Sequence, residues 1–296
     1  MNKRAQEHKS QEHKSTSRKT ELLVHLCACA LVFLSAGCAA NPITGEDEMM
    51  FSQDYHSDIE IGKQVAPEVE KELKGKIEDE ALQNYIDSVG RQISKISHNP
   101  DFDYHFVAVN DKSINALSLP GGRIFITKGM LLKLENESQL AGVLSHEIVH
   151  VVARDTQNMM SKEAGLGVLF ILAMSQTRST GEMAAVDIAR QIVELKYSRQ
   201  DEVTADLGGL DYMVRAGYDP KGMIETMKML QKKDTIKPVE FFSTHPSPEN
   251  RLSYIQAKIQ TYYSAGFTNA KIGRDDYRRN VIDRLQNLPD TPEKKP

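Results

Sequence analysis

The stretch at residues 140–153, LAGVLSHEIVHVVA, is apolar on nearly every side of a helix, yet it carries His146, Glu147 and His150 at its centre. A helix that is hydrophobic all round belongs inside a protein. Histidine and glutamate buried there need partners, because an unpaired polar or charged group is costly in an apolar setting. His146 and His150 are four residues apart, about 40° around a helix axis, so both rings leave from one face and can hold one metal ion. Glu147 is close enough to the pair to hold a metal-bound water and act as general base. Zinc suits such a pair. The stretch therefore demands a helical core built around a polar centre.

A catalytic zinc usually has three protein ligands. No histidine follows His150 until His245, so the remaining candidates are acidic residues on a later helix. The segment KYSRQDEVTADLGGLDYM sets Glu202 and Asp206 four apart on one helical face, beside small residues that permit close packing. Glu202 fits as the third ligand, and Asp206 as the acceptor that orients a ligating histidine. Asp201 and Asp211 are the alternatives, and on spacing alone the segment also fits a charged helix surface.

The N-terminus needs separate treatment. Within 296 residues of net charge −4, the first 21 hold six basic and three acidic side chains, which leaves an acidic remainder. An acidic body without a basic stripe argues against nucleic acid as a partner. Residues 22–36, LLVHLCACALVFLSA, form an uncharged apolar run behind that basic stretch. A transmembrane helix needs about 20 such residues, whereas a basic flank, a short apolar core and small residues are the layout of a signal peptide. The ending Ser35-Ala36-Gly37-Cys38 resembles the lipobox of bacterial lipoproteins, in which the cysteine is lipidated. Cleavage there discards Cys27 and Cys29 and leaves only Cys38, so no internal disulfide is expected. Ala39 in place of Asp favours outer-membrane over inner-membrane sorting, by resemblance to Gram-negative rules.

The expected organisation is a leader at 1–37, a lipidated N-terminus and tether at 38–57, a main domain at 58–265 and a partly disordered extension at 266–296. Apolar spacing predicts two helices within 58–97, broken near Gly75. Strands are expected at 103–109 and at Arg123–Thr127, with the turn Pro120-Gly121-Gly122 between them. Helices are expected at 129–134, 138–155, 160–175, 184–215, 221–231 and 248–262, with Asn136 or Ser138 as a cap and Gly217 as a stop. The apolar run 166–174 is too short to cross a bilayer and is expected to be core or a surface that touches lipid or clients.

Three blocks, LSHEIVHVVAR, SRQDEVTAD and FFSTHPSPENRL, occur in that order. They resemble the zinc metallopeptidases of the HtpX and CAAX-prenyl-protease kind, and within them the periplasmic lipoprotein branch of the BepA and LoiP type. The resemblance runs from about Asn41 (NPITG) to about residue 262. With no tetratricopeptide-like repeat after that point, it lies nearer the LoiP type. It implies an α+β, mainly helical zincin fold of the gluzincin type, with a small β-sheet beside the HExxH helix. It also implies one Zn2+ per chain on His146, His150 and Glu202, Glu147 as catalytic base, and Asp206 one turn after the third ligand.

His245 matches a histidine that in this branch approaches the zinc as a fourth ligand, holding the enzyme latent, or stabilises the oxyanion; capping the next helix is the plainer alternative. Arg251 is expected to anchor its loop or pair with an acid near the site. At residue 155 the family often has His and this chain has Asp, which puts only a local hydrogen bond in doubt. The segment INALSLPGGRIFITKGML belongs to the same resemblance. An edge strand there takes up substrate backbone by β-addition, which nominates Asn115, Gly122, Ile124 and Ile126; an ordinary hairpin is the other reading.

The implied function is a membrane-anchored zinc endopeptidase of the cell envelope, facing the periplasm and hydrolysing misfolded or unassembled envelope proteins. The competing function is a chaperone-like assembly factor for outer-membrane proteins with a latent protease site. The implied partners are those client proteins, the membrane through the Cys38 lipid, and the outer-membrane assembly machinery.

Overall fold

The computed structural model describes residues 37–45, 47–50, 55–162, 178–231, 241–263 and 269–288. The first element is a hairpin, β1 (Gly37–Ala40) paired antiparallel with β2 (Asp47–Met50). A tether was the expectation for this segment; Asn41-Pro42 and Thr44-Gly45 instead supply the turn that folds it back. The leader at 1–36 and the apolar run 166–174 lie outside the described residues.

Helix α1 (Tyr55–Glu72) buries Ile61, Val65 and Val69, spaced by four. It ends where Lys74 and Gly75 take φ of 67° and 82°, the left-handed conformation that stops a helix. Helix α2 (Glu80–Ser94) begins on Asp79, whose carboxylate accepts from the Leu82 N–H at 2.9 Å, and it buries Leu82, Ile86, Val89 and Ile93. These are the two helices that the apolar spacing predicts.

Three strands follow: β3 (His105–Val109), β4 (Ala116–Ser118) and β5 (Arg123–Thr127), in the order β3-β5-β4. β5 runs parallel to β3 and antiparallel to β4. Alternation sends Ile124 and Ile126 into the main core with α2, while Phe125 joins α1 in a second cluster with Val65, Val69 and Leu117. A strand buried on both faces is apolar throughout, which is why RIFIT is so continuous. The expectation of an edge strand at Ile124–Thr127 is corrected here: β5 is central, and β3 and β4 lie outside it. Gly121 and Gly122, at φ 73° and 108°, also have a structural task. A Cβ on Gly121 would lie 2.4 Å from Ile59 Cα, so the turn is bare to let α1 pack on it.

After α3 (Lys128–Lys133), helix α4 (Glu137–Ala153) is capped by Asn136, whose side chain accepts from Gln139 N–H at 2.9 Å. Every residue of α4 is buried, as its all-round hydrophobicity requires. Helices α5 (Asp155–Lys162), α6 (Arg178–Val193), α7 (Arg199–Arg215) and α8 (Lys221–Gln231) complete the body with the short α9 (Phe241–Thr244) and α10 (Arg251–Tyr262). The single helix expected at 184–215 is two. Ser198 and Asp201 form a capping box, Ser198 Oγ accepting from Asp201 N–H and the Asp201 carboxylate accepting from Ser198 N–H, which starts α7 afresh.

At the C-terminus, α11 (Arg274–Tyr277) continues through a wider π turn (Arg278–Ile282) into α12 (Asp283–Asn287). Tyr277, Val281 and Leu285 from this segment are buried in the main core. The extension expected after residue 265 therefore packs as part of the domain over 274–287. Among the described residues no helix is long and apolar enough to cross a membrane. The whole is a mainly helical α+β domain with a small sheet beside α4, an architecture that fits a zincin-type metallopeptidase.

Candidate metal centre

The centre lies where α4 and α7 cross. Ala205 and Gly209 line the approach, and a Cβ on Gly209 would come within 3.0 Å of His146 N. That absence of side chains brings Glu202 and Asp206 against His146 and His150. The loop after α9 supplies His245, stacked on Phe241 with ring centroids 4.3 Å apart. Its position is set by Tyr197 N–H, which donates to Thr244 O at 3.0 Å.

His146, His150, Glu202 and His245 each aim one ligand atom at a common point, and all four are buried. His146 Nε2 lies 3.1 Å from His150 Nε2 and 3.4 Å from His245 Nδ1. Glu202 Oε1 lies 2.8 Å from His245 Nδ1 and 3.5 Å from His150 Nε2. Zinc–nitrogen bonds of about 2.0–2.1 Å at tetrahedral angles separate ligand atoms by about 3.3 Å, and these four separations scatter around that value. The donor set, three imidazoles and a carboxylate, is also one that zinc takes. The cluster fits a single zinc ion.

The outward faces of the ligands are held by further groups. His146 Nδ1 is 3.1 Å from Asp206 Oδ1, and His150 Nδ1 is 2.7 Å from Asp155 Oδ2. Arg251 Nη2 donates to Asp206 Oδ1 at 2.6 Å and lies 3.2 Å from Glu202 Oε2, while Tyr254 Oη also donates to Asp206. Arg251, the first residue of α10, thus pairs with both acids. The other acidic candidates lie elsewhere: Asp201 caps α7, and Asp211 pairs with Lys258 at 2.7 Å.

Electrostatics favours the charged forms of the acids. Burial alone would raise Glu202, but His245, His146 and His150 outweigh it and hold the carboxyl well below the usual range. Burial likewise opposes ionisation of Asp206, and Arg251 and His146 overcome it. At His146, burial dominates and lowers the imidazole. At His150, burial is outweighed by Asp155 and Glu202, and the ring is raised to about 10.

Glu147 stands apart from the ligands. Both of its buried carboxylate oxygens lack a hydrogen-bond partner among the described residues, as does His245 Nε2. His245 Nε2 and Glu147 Oε1 are 3.6 Å apart. A buried carboxylate without a hydrogen-bond partner has both oxygens free to accept a proton from a water or substrate that reaches it.

The nominated substrate residues are not brought to this point. Ile124 and Ile126 face the core, and Gly122 serves its turn. Asn115 lies nearer: its Oδ1 accepts from Ala116 N–H at 2.9 Å and from Thr244 Oγ1 at 3.5 Å, next to His245. The Cys38 side chain lies outside what is described. Two neighbours of the centre escape the sequence pattern. Asp155 is visible only as a departure from the family block, and Tyr197, parallel to the His150 ring at 3.8 Å, carries no spacing signal.

Comparison with known proteins finds relatives named as proteases. Beta-barrel assembly-enhancing protease of Escherichia coli (strain K12) is 31% identical over 201 residues, covering 62% of this chain and 40% of that protein. Its namesake in Yersinia pestis is 30% identical over 189 residues, covering 60% and 39%. Mitochondrial metalloendopeptidase OMA1 of Schizosaccharomyces pombe is 28% identical over 207 residues, covering 67% and 61%. The chain spans about two fifths of the length of those two bacterial relatives. Residues 80–259 match Peptidase family M48, a span that takes in α4, α7 and the His245 loop together. More than half of the sequence thus carries one family's pattern, and the chain belongs to Peptidase family M48.

Proposed function

We propose that this chain is a zinc-dependent endopeptidase of the bacterial envelope, anchored through a lipid on Cys38, that hydrolyses misfolded or unassembled envelope proteins. The observation that carries the reading is Glu147: a fully buried carboxylate with no hydrogen-bond partner among the described residues, beside four buried ligand side chains. His146, His150 and Glu202 would hold the ion, with Asp206 and Arg251 orienting His146 and Glu202. A zinc ion held there would supply Lewis acidity towards the peptide carbonyl and the attacking water. Glu147 accepts a proton from that water as the water oxygen bonds to the carbonyl carbon, and returns it to the nitrogen as the C–N bond breaks. An extended substrate adds to β4, one of the two outer strands, with Asn115 just before it.

Relatives named as assembly-enhancing proteases support the envelope setting, and the lipobox-like Ser35-Ala36-Gly37-Cys38 supports the anchor. The test is Glu147→Gln. It is expected to keep one zinc per chain and to lose cleavage of an unfolded substrate by at least about 100-fold. Cleavage at the wild-type rate would sink the mechanism.

A second reading, a chaperone-like assembly factor with a latent site, is favoured by one observation. His245 sits at the corner of the cluster that a catalytic zinc leaves to water. Displacement of His245 is then the step that converts a client-binding form into a cleaving one.

A further inference from the structure

Helix α4 stops at Arg154, which takes φ 60° and ψ 32°, a left-handed conformation that is unfavourable for any residue with a Cβ. The reversal lets Asp155, the first residue of α5, face back toward the ring of His150. Asp155 Oδ2 lies 2.7 Å from His150 Nδ1, and the two side chains are 2% and 0% exposed. A carboxylate is acceptor-only, so Nδ1–H is the donor of this pair, and in the neutral ring that a metal requires Nε2 is the ligand nitrogen. Nε2 faces His146 Nε2 and Glu202 Oε1, at 3.1 and 3.5 Å.

The turn itself is clamped. Arg154 donates from Nε and Nη2 to the two carboxylate oxygens of Asp58, at 2.7 and 2.8 Å, and the pair is buried. The Tyr55 ring lies 5.1 Å from the guanidinium. On the other side, Tyr197 is stacked at 3.8 Å and 7° on the His150 ring, with its hydroxyl 3.2 Å from the Thr156 hydroxyl. Asp155 fixes the imidazole in its plane and Tyr197 fixes its tilt.

We propose that Asp155 is a positioning residue of the metal centre, its carboxylate setting the tautomer, orientation and donor strength of His150, with Asp58 and Arg154 holding it in place. The inference rests on the reading of His150 as a zinc ligand. It gives each histidine of the helix motif its own carboxylate, Asp206 for His146 and Asp155 for His150. Outer partners of this kind commonly change metal affinity or activity by about 10–100-fold when removed.

The test uses the purified full-length chain and zinc itself, titrated against a competing chelator. D155A is expected to bind zinc about 10–100-fold more weakly, and D155N, a neutral acceptor of the same shape, to fall between it and wild type. In the zinc-loaded protein, the His150 Nδ1–H proton resonance is expected to move upfield in D155A and less so in D155N. A residue that only supports the fold would lower the melting temperature and leave the zinc affinity and that resonance of the folded variant unmoved. Wild-type values of both in D155A overturn the proposal. Should D155A fail to fold, D155N carries the test alone, and wild-type values of both overturn it equally. H150A separates the two levels: undiminished zinc affinity there would remove His150 from the ligand set, whatever Asp155 does.

Discussion

Between α2 and the sheet, Leu82, Ile86, Val89 and Ile93 share one apolar cluster with Phe106, Ala108, Ile124 and Ile126. Between α4 and α7, an equally buried seam carries His146, His150, Glu202 and Asp206. The first region is held by the removal of apolar surface from water, a force indifferent to orientation. In the second, every group is costly to bury alone. Each is tolerated because another stands opposite it at hydrogen-bonding or ligand distance. Apolar packing makes the fold; the polar seam spends some of that stability to hold a reactive geometry.

If the two regions are distinct in this way, their variants should separate activity from stability. His245→Ala is the activity change expected of the polar seam. A cap engaged about nine-tenths of the time holds activity down about tenfold, so cleavage of an unfolded substrate should rise by that order while one zinc per chain is kept. Lower cleavage would assign His245 to the oxyanion and end the latency reading.

Ile86→Ala should do the reverse. Deleting a fully buried isoleucine costs about 2–5 kcal/mol, read as an earlier denaturant midpoint, with the zinc affinity of the folded fraction unchanged. Weaker zinc binding in that fraction would mean the two regions are one unit and the contrast is false.

The smallest effect is at the cap of α2. Burial opposes the charge on Asp79, but the Leu82 N–H and Arg284 outweigh it and keep the carboxyl below its ordinary range. A depressed acid contributes stability that is present above its unfolded value and lost as pH falls through its folded one. Asp79→Ala should therefore cost about 1 kcal/mol at pH 7, and the gap to wild type should narrow below about pH 4. Because Arg284 is partly exposed, little of this is ion pairing. A gap unchanged between pH 7 and pH 3 would leave the charge with no role.

Periodicity made the helical body legible because a buried face repeats at a fixed spacing: Ile61, Val65 and Val69 mark α1 as plainly as Leu82, Ile86 and Val89 mark α2. The break between α6 and α7 was written in the sequence as Ser198 and Asp201, but in a segment whose apolar pattern continues through it. β4 has too few residues to show alternation, so it is legible only through the hairpin reading of INALSLPGGRIFITKGML, which is the antiparallel β4–β5 pair; the edge-strand reading places β5 wrongly. The C-terminal helices were missed because few of their residues are apolar; Tyr277, Val281 and Leu285 suffice to bury one side.

The sequence by itself determined that a wholly apolar helix must carry two histidines and a glutamate, and that Glu202 and Asp206 share a face. Helix geometry turns four-residue spacing into adjacency, so these facts are local. Tertiary structure decided the rest: which acid reaches the cluster, that His245 joins it from 95 positions beyond His150, and that Asp155 stands behind His150. Contacts of that kind depend on where α4 stops, how closely Gly209 lets α7 approach and which strand lies at the edge. No spacing along a chain encodes them, because they are distances between elements and not within one.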